Sequence, residues 1–352
     1  MKRLARVTGW KVWTMLLLAG STFASCNVLS EEEEDCAVYV QFKYDMNMEF
    51  ADAFQQAVNS VTLYAFDKSG KLAFQKTEEG EILKQDGYRM RLDEISHMDN
   101  AEYDFITWAG EPDNQSFSIP LLSVGTHTKE DLYCQLNRAG EGIVNDDLED
   151  LFHGQATSVS LGRSASKMPA VVIPLVKNTN KIRIVLQEVE GDPIDVNDFS
   201  FTITDENGKM NYDNTLLKDI QLSYQAWNTG NGHAGMDGDD IQQEGMTQIN
   251  VAIADLTTAR LIADENIKNR AVLTITNIKK NEVVLRMPLV DAALLYKRHE
   301  YGENGKHPMS DQEYLDREDE YNFTFFLNNG KWISSNIIIN DWYYVPSEEE
   351  IN

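Results

Sequence analysis

Short runs of alternating apolar and polar residues recur along most of the chain. The first extends from Val38 to Tyr44, where every second side chain is a large apolar or aromatic one. Alternation with a period of two is the pattern of a β-strand that buries one face. Further strands are predicted at residues 61–66, 71–75, 103–109, 155–161, 170–176, 181–186, 199–204, 248–253, 271–278, 282–287, 321–327 and 332–345. Turn-forming clusters separate many of these runs, so the pattern predicts an all-β protein.

A few short helices interrupt the predicted strands. They are predicted from a cap at Thr128–Asp131 into Leu132, Cys134 and Leu136, over Asp146–His153 and over Pro288–Tyr296. The second would begin after Asn145 and end at Gly154, a residue type favoured just past a helix C-terminus. The stretch from 228 to 245 is rich in Gly and Asp, which predicts a loop.

The alternating pattern restarts near residue 177, after the predicted strand that ends at Val176. Many short strands with few helices are typical of β-sandwiches. A chain of 352 residues is also longer than one typical domain. We therefore predict two tandem β-sandwich domains, residues 36–176 and residues 177–352.

Residues 1–25 have the parts of an export signal. An n-region with four basic residues and no acid precedes Val12–Gly20, an apolar stretch far below the ~20 residues that span a bilayer. Small residues then lead to Cys26 in the sequence FASC. Such an ending resembles the signals of bacterial lipoproteins, in which the cysteine is lipidated and becomes the mature N-terminus. The alternative is an ordinary cleaved signal in which Cys26 has no role.

Residues 26–35 are predicted to be an acidic tether. Glu31–Glu34 and Asp35 repel one another and keep the segment extended. An acidic stretch after a lipidated cysteine also resembles the signal that sends Bacteroidetes lipoproteins to the cell surface. This resemblance implies a lipid-anchored, surface-exposed protein of the outer membrane.

The chain has a formal net charge of -26 at pH 7. This charge repels nucleic acid and anionic lipid, so neither is an expected partner. Hydrophobic residues make up 42% of the chain, which is enough for a packed core and argues against disorder.

Two cysteines follow Cys26, namely Cys36 and Cys134. In an oxidising compartment they are a natural pair, and we expect a disulfide between them. Two separate buried thiols are the alternative. Neither cysteine has the spacing of a redox or zinc motif, so no metal is expected there.

Motifs that would carry catalysis or bind a cofactor are weak in this sequence. Gly230–Gly235 matches the GxGxxG pattern of dinucleotide sites, but no helix start follows it, and we interpret it as a loop. The acids Asp237, Asp239 and Asp240 have the oxygen ligands that Ca²⁺ prefers, although acidic loops are more often only solvated. HExxH, GxSxG and P-loop motifs do not occur. We expect no cofactor and a protein that is not an enzyme.

Several stretches occur together in the order found in one family. They include Asp35–Asn47, Val61–Asp67, Ile106–Gly110, Asp131–Cys134, Leu148–Gly154 and Ile339–Trp342. Together they resemble the lipoprotein anchoring subunits of Bacteroidales fimbriae, the type V pili. The resemblance covers nearly the whole chain after the tether.

This resemblance implies transthyretin-like sandwich domains and a fimbrial shaft subunit, or pilin, as partner. Shaft subunits of such fimbriae lose their first strand to an arginine-specific protease, and the C-terminal strand of the next subunit fills the groove. Anchoring subunits keep their first strand, which ends the polymer and limits its length. In agreement with that role, no arginine lies between Cys26 and Arg89.

The C-terminal region would supply the donor strand, because an added strand satisfies an apolar groove and its unpaired backbone groups. The apolar donor candidates are Ile333, Ile337, Ile339, Trp342 and Tyr344. The alternative is that these residues complete the second sandwich.

Two other functions remain open from the sequence. A surface glycan-binding lipoprotein would use exposed aromatic side chains such as Trp108, Trp227 or Trp332 to stack on sugars. A fimbrial tip adhesin would have the same fold at the other end of the filament.

Overall fold

A computed structural model describes residues 38–93, 101–161, 170–234, 249–264, 271–301, 307–340 and 342–344. The strands are β1 Val38–Lys43, β2 Ser60–Asp67, β3 Leu72–Glu79, β4 Met90–Leu92, β5 Ala101–Gly110, β6 Phe117–Ser118, β7 Tyr133–Leu136, β8 Ile143–Val144, β9 Leu151–Leu161, β10 Val171–Lys177, β11 Thr179–Glu190, β12 Phe199–Asp205, β13 Lys209–Asn211, β14 Leu222–Gln225, β15 Asn228–Ala234, β16 Ile249–Ala259, β17 Val272–Asn277, β18 Glu282–Pro288, β19 Glu320–Asn328, β20 Lys331–Ile339 and β21 Trp342–Tyr344. The α-helices in these ranges are α1 Phe54–Ala57, α2 Leu289–Glu300 and α3 Asp311–Arg317.

The described strands form four sheets. The largest has the order β3-β2-β5-β9-β10-β1-β4, and the next has the order β15-β16-β11-β19-β20-β21. A five-stranded sheet, β18-β17-β12-β14-β8, and a three-stranded sheet, β13-β7-β6, complete the fold. The predicted all-β class with a few short helices is confirmed.

Strand β2, near the middle of the seven-stranded sheet, is buried on both faces. Along β2, Val61, Leu63 and Ala65 belong to a core within the first half of the chain. Tyr64 and Phe66 belong to a second core that also contains strands from the other half. Because successive strand residues point to opposite faces, this one sheet separates the two cores.

Strands from the two halves pair with each other. Met210 of β13 lies opposite Cys134 of β7, and Tyr224 of β14 lies opposite Val144 of β8. The predicted boundary at residue 176 falls at the junction of β10 and β11, which lie in different sheets. The division into two tandem domains stays a prediction, and the halves are joined by these shared sheets.

The helix predicted over Asp146–His153 is wrong. The chain is extended there, and β9 begins at Leu151 and pairs with both β5 and β10. Gly154 is therefore a strand residue and not the residue after a helix. The predicted third helix is confirmed and is longer than expected, since α2 continues to Glu300 with Pro288 as its N-cap.

Two further local predictions are resolved by the structure. The helix predicted from Thr128 is a single 3₁₀ turn, Lys129–Asp131, and its continuation to Leu136 is wrong, because β7 begins at Tyr133. The backbone N–H of Thr128 donates to the Asp131 carboxylate at 2.8 Å. The loop predicted from residue 228 is wrong at its start, because β15 pairs in register with β16 there. No helix in the described ranges is both long and apolar enough to cross a membrane.

Candidate functional site

The opening strand β1 lies inside the seven-stranded sheet. It runs parallel to β10, with Phe42 opposite Ile173, and antiparallel to β4, with Val40 opposite Met90. Its alternate side chains point into the core, and Val40 and Phe42 are 0% and 2% exposed. Both edges of β1 are therefore paired, and one face is completely buried.

An aromatic layer packs beneath β1. The ring of Phe42 stacks on Phe54 of α1, with centroids 5.7 Å apart, and Phe54 stacks on Tyr88 at 5.9 Å. Burial of Phe42 and of Phe54, which are 2% and 4% exposed, stabilises the fold by about 1.5–3 kcal/mol each. Loss of β1 would expose this layer and leave the backbone groups of β10 and β4 without partners.

The turn that follows β1 is held by the C-terminal half of the chain. The guanidinium of Arg317, at the end of α3, donates to the carbonyl oxygens of Asp45 at 2.9 Å and Asn47 at 3.2 Å. The same group lies 4.5 Å from the ring centroid of Phe50. Phe50 has a φ of 53°, an uncommon value for a residue with a Cβ. The guanidinium of a distant helix thus holds the turn that follows β1. We call these contacts of Arg317 with Asp45, Asn47 and Phe50 the Arg317 clamp.

A buried cation ties the end of β10 to the start of β19. The Lys177 ammonium lies 2.6 Å from a carboxylate oxygen of Asp319 and 3.1 Å from one of Asp150. Burial acts to lower the pKa of Lys177, but these two carboxylates raise it more. Burial also raises the pKa of the neighbouring Glu318 to about 7. The charged junction therefore fixes where the two halves of the chain meet.

The C-terminal strands complete the six-stranded sheet. On β20, Ile337 lies opposite Phe325 and Ile339 lies opposite Phe323 of β19. Ile337 and Ile339 are 2% and 0% exposed, so both belong to the protein's own core. Ile333, earlier on β20, is half-buried.

The last two donor candidates lie on a different strand. Trp342 and Tyr344 are in β21, the edge of the six-stranded sheet, where they pair with Ile339 and Ile337 of β20. The five candidates are thus divided between a strand inside the sheet and a three-residue strand at its edge.

The structure describes one of the three cysteines. Cys26 and Cys36 lie outside the described residues. Cys134 of β7 is a free thiol, fully buried in the core shared by the two halves. Burial raises the pKa of this thiol. No disulfide joins Cys134 to another described residue, and its pairing with Cys36 stays a prediction.

The candidate aromatic residues differ in exposure. Trp108 is 2% exposed and meets His153 edge-on, with ring centroids 4.7 Å apart. Trp332 packs against Phe325 in the core. Trp227 is 39% exposed, which makes it the accessible one of these three tryptophans.

The GxGxxG motif is not a nucleotide loop in this fold. Gly230 and Gly232 lie in β15, opposite Ile253 and Val251 of β16, with no helix beginning after them in the described chain. The acids Asp237, Asp239 and Asp240 lie outside the described residues. Within those residues, no group of three or more His, Cys, Asp or Glu side chains is placed to hold a metal ion.

Sequence reasoning did not find the Arg317 clamp or the charged junction around Lys177. The clamp joins residues that are 272 positions apart, and the junction joins β10 to residues before β9 and β19. A single arginine or lysine in a polar stretch has no pattern of its own. Only the fold brings these groups together.

Solved structures share this architecture. A Bacteroides thetaiotaomicron protein provisionally assigned to polysaccharide binding is 32% identical, with a TM-score of 0.73 over 90% of this chain and 100% of that one. A provisionally assigned adhesin from the same species is 31% identical, with a TM-score of 0.75 over 90% and 97% of the two chains. The fimbrial anchor protein Mfa2 of Porphyromonas gingivalis, 17% identical, shares the fold, with a TM-score of 0.62 over 88% and 99%. No curated protein matches the chain.

A family model also matches most of the chain. The model of the fimbrillin-A associated anchor proteins Mfa1 and Mfa2 matches residues 32–348, which include every described strand from β1 to β21. This range also contains β1 and the edge strand β21. The chain belongs to the family of fimbrillin-A associated anchor proteins.

Proposed function

We propose that this protein is the lipid-anchored base subunit of a fimbrium, attached to the outer membrane through lipid on Cys26. The observation that carries the proposal is the position of β1. Its side chains fill the core of the seven-stranded sheet, so this subunit has no vacant groove there for a donor strand. A subunit that accepts no strand ends the filament and limits its length.

Protection of β1 from proteolysis supports this role. The chain has no arginine between Cys26 and Arg89, so an arginine-specific protease has no cleavage site before or within β1. The Arg317 clamp also holds the exit of β1. Retention of β1 is therefore favoured by the sequence and by packing.

The different burial of β20 and β21 supports a donor at the edge of the six-stranded sheet. Removing β20 would empty the core positions of Ile337 and Ile339, at about 2–5 kcal/mol for each lost side chain. β21 has three residues and pairs with β20 alone among the described strands. We propose that the segment from Trp342 onward leaves this edge and completes the groove of the adjacent pilin.

Truncation tests the donor assignment. Deletion of residues 341–352 removes β21 and leaves β20 in place. We expect a protein that still folds and still reaches the membrane, while fimbriae are released into the medium because no strand joins them to the base. Fimbriae in medium and cell fractions are measured by immunoblotting with antibody to the shaft subunit.

A shorter deletion, residues 347–352, is the matched control, since it removes the acidic end and retains β21. This control should keep fimbriae attached to the cells. Normal attachment after deletion of 341–352 would show that the donor lies elsewhere. Release with both deletions would assign the donor to the final six residues.

A further inference from the structure

An open cleft of about 290 Å³ lies on the outer face of the six-stranded sheet. Its floor consists of matched positions on β16, β11 and β19. Asp255, Arg183 and Asn322 form one row across these strands. Thr257, Lys181 and Glu320 form the next row. The cleft is therefore built on paired strands, which fix the spacing of its polar side chains.

Trp227 forms one wall of this cleft and is held in one orientation. Its indole N–H donates to the Thr257 hydroxyl at 3.1 Å. That hydroxyl donates to a carboxylate oxygen of Asp147 at 2.7 Å. Thr257 is 2% exposed, whereas Trp227 is 39% exposed. A partly buried hydrogen-bond chain, which ends at the exposed Asp147, thus positions a solvent-accessible aromatic ring, so little side-chain entropy remains to be lost on binding.

The floor beside this ring is polar, and its charges largely cancel. Arg183 donates to Asp255 at 2.7 Å and 3.3 Å, and Asn228 donates to the same carboxylate at 2.8 Å. Burial acts to raise the pKa of Asp255, but these hydrogen bonds lower it more, so the carboxylate stays ionised. Lys181 and Glu320 add one exposed charge of each sign.

These features match the chemistry of a neutral sugar. A pyranose ring has an apolar face of C–H groups that stacks on an aromatic ring, and its hydroxyls pair with planar amide, guanidinium and carboxylate groups. An anionic ligand is disfavoured by the cleft carboxylates and by the net charge of -26. We propose that the Trp227 cleft binds a hexose unit of a neutral glycan. This binding does not depend on the anchoring role.

The test is calorimetric titration of the purified full chain, in a detergent without a sugar headgroup, with maltohexaose, cellohexaose and mannohexaose. Wild-type protein binds at least one of these neutral oligomers. Trp227→Ala weakens that binding by about tenfold or more, because the stacking surface is lost, while Trp227→Phe retains part of it. Hyaluronan hexasaccharide, an anionic oligomer, binds more weakly than the best neutral one.

Two further variants separate loss of binding from loss of folding. Asn322→Ala leaves the ring in place and removes one exposed amide, and it should weaken binding by about three- to tenfold. Ile278→Ala is the matched control, since Ile278 is 56% exposed and is not a lining residue of the cleft. Absence of binding to all three neutral oligomers, tighter binding of the anionic one, or wild-type affinity in folded Trp227→Ala would overturn the proposal.

Discussion

Gly154 lies where β9 and β10 approach each other closely. A Cβ at this position would be 2.6 Å from the Pro174 carbonyl oxygen and 2.7 Å from side-chain atoms of Ile173 and Leu175. The backbone carbonyl cannot move aside as a flexible side chain could. We expect Gly154→Ala to destabilise the protein by about 1–3 kcal/mol or more, measured as the free energy of unfolding in urea.

Gly230→Ala is the matched control for this prediction. Gly230 also lies in a strand, but no neighbouring atom is within 4 Å of its added Cβ. The same chemical change should therefore alter the free energy of unfolding by less than about 0.5 kcal/mol. Equal effects of the two substitutions would contradict the close approach of β9 and β10.

His153 makes stability dependent on pH. Its Nε2 donates to the Tyr212 carbonyl oxygen at 2.8 Å, and burial lowers the pKa of the imidazole from 6.5 to about 4. The unfolded chain takes up a proton near pH 6.5 while the folded chain does not. The contribution is therefore complete above pH 6.5 and is lost as the pH falls towards 4, by up to about 3 kcal/mol.

His153→Gln removes this titration. We expect the variant to be less stable than wild type at pH 7 but to lose less stability between pH 7 and pH 4.5, as measured by urea unfolding at each pH. His307→Gln is the control, because His307 is exposed. Parallel pH profiles for wild type and His153→Gln would show that the buried imidazole does not cause the effect.

At the scale of elements, the Arg317 clamp is expected to control the mobility of β1. Arg317→Met keeps much of the apolar stem. It removes two hydrogen bonds to carbonyl oxygens, the contact with Phe50 and an ion pair with Glu313. We expect amide exchange in residues 38–53 to become about 10- to 30-fold faster, because local opening costs less free energy. Hydrogen exchange followed by mass spectrometry measures this change.

Lys279→Met serves as a control with another lost ion pair. Lys279 is 72% exposed and pairs with Asp198 at 3.2 Å, so its removal should leave exchange in residues 38–53 unchanged. Unaltered exchange of β1 in Arg317→Met would show that the sheet alone holds the strand.

The strands with the clearest alternation were predictable from sequence. The alternation from Val38 to Tyr44 predicted both β1 and its buried face, which the structure confirms. The strand predicted at residues 155–161 is the larger part of β9, but the start of β9 was not predictable, because Leu148, Leu151 and Phe152 have a spacing that also suits a helix. Pairing with β5 and β10 on both sides overrides that local preference.

The candidate site was predictable only in part, for the same reason. The sequence identifies the apolar C-terminal residues. Ile337 and Trp342 both have apolar neighbours in the sequence, so the pattern does not tell which of them lies in the core. Only the sheet order assigns one to the core and the other to an edge strand. Trp227 directly precedes β15, and a Gly-rich sequence does not predict a strand there. The accessible position of Trp227 was therefore not predictable either.

At the scale of the whole molecule, the two halves are coupled by a buried ion pair as well as by shared sheets. Arg138, after β7, pairs with Asp219, before β14, and their side chains are 15% and 6% exposed. Asp219→Asn leaves the guanidinium without its counter-charge. We expect a loss of about 2–4 kcal/mol in the free energy of unfolding, with fluorescence and circular dichroism reporting one common transition.

Asp198→Asn is the corresponding change at a solvated ion pair, and it should cost less than about 1 kcal/mol. A similar cost for both substitutions would contradict the burial of the Arg138–Asp219 pair. Two separate unfolding transitions in the wild-type protein would contradict strong coupling between the halves.

The anchoring role requires a lipid-bearing subunit that keeps β1. Mass spectrometry of the protein recovered from outer membranes of fimbriated cells tests both properties at once. The proposal predicts a single mature N-terminus at an acylated Cys26, followed by an uninterrupted chain through Val38–Lys43. An unmodified Cys26, or a mature chain that begins after Lys43, would contradict it.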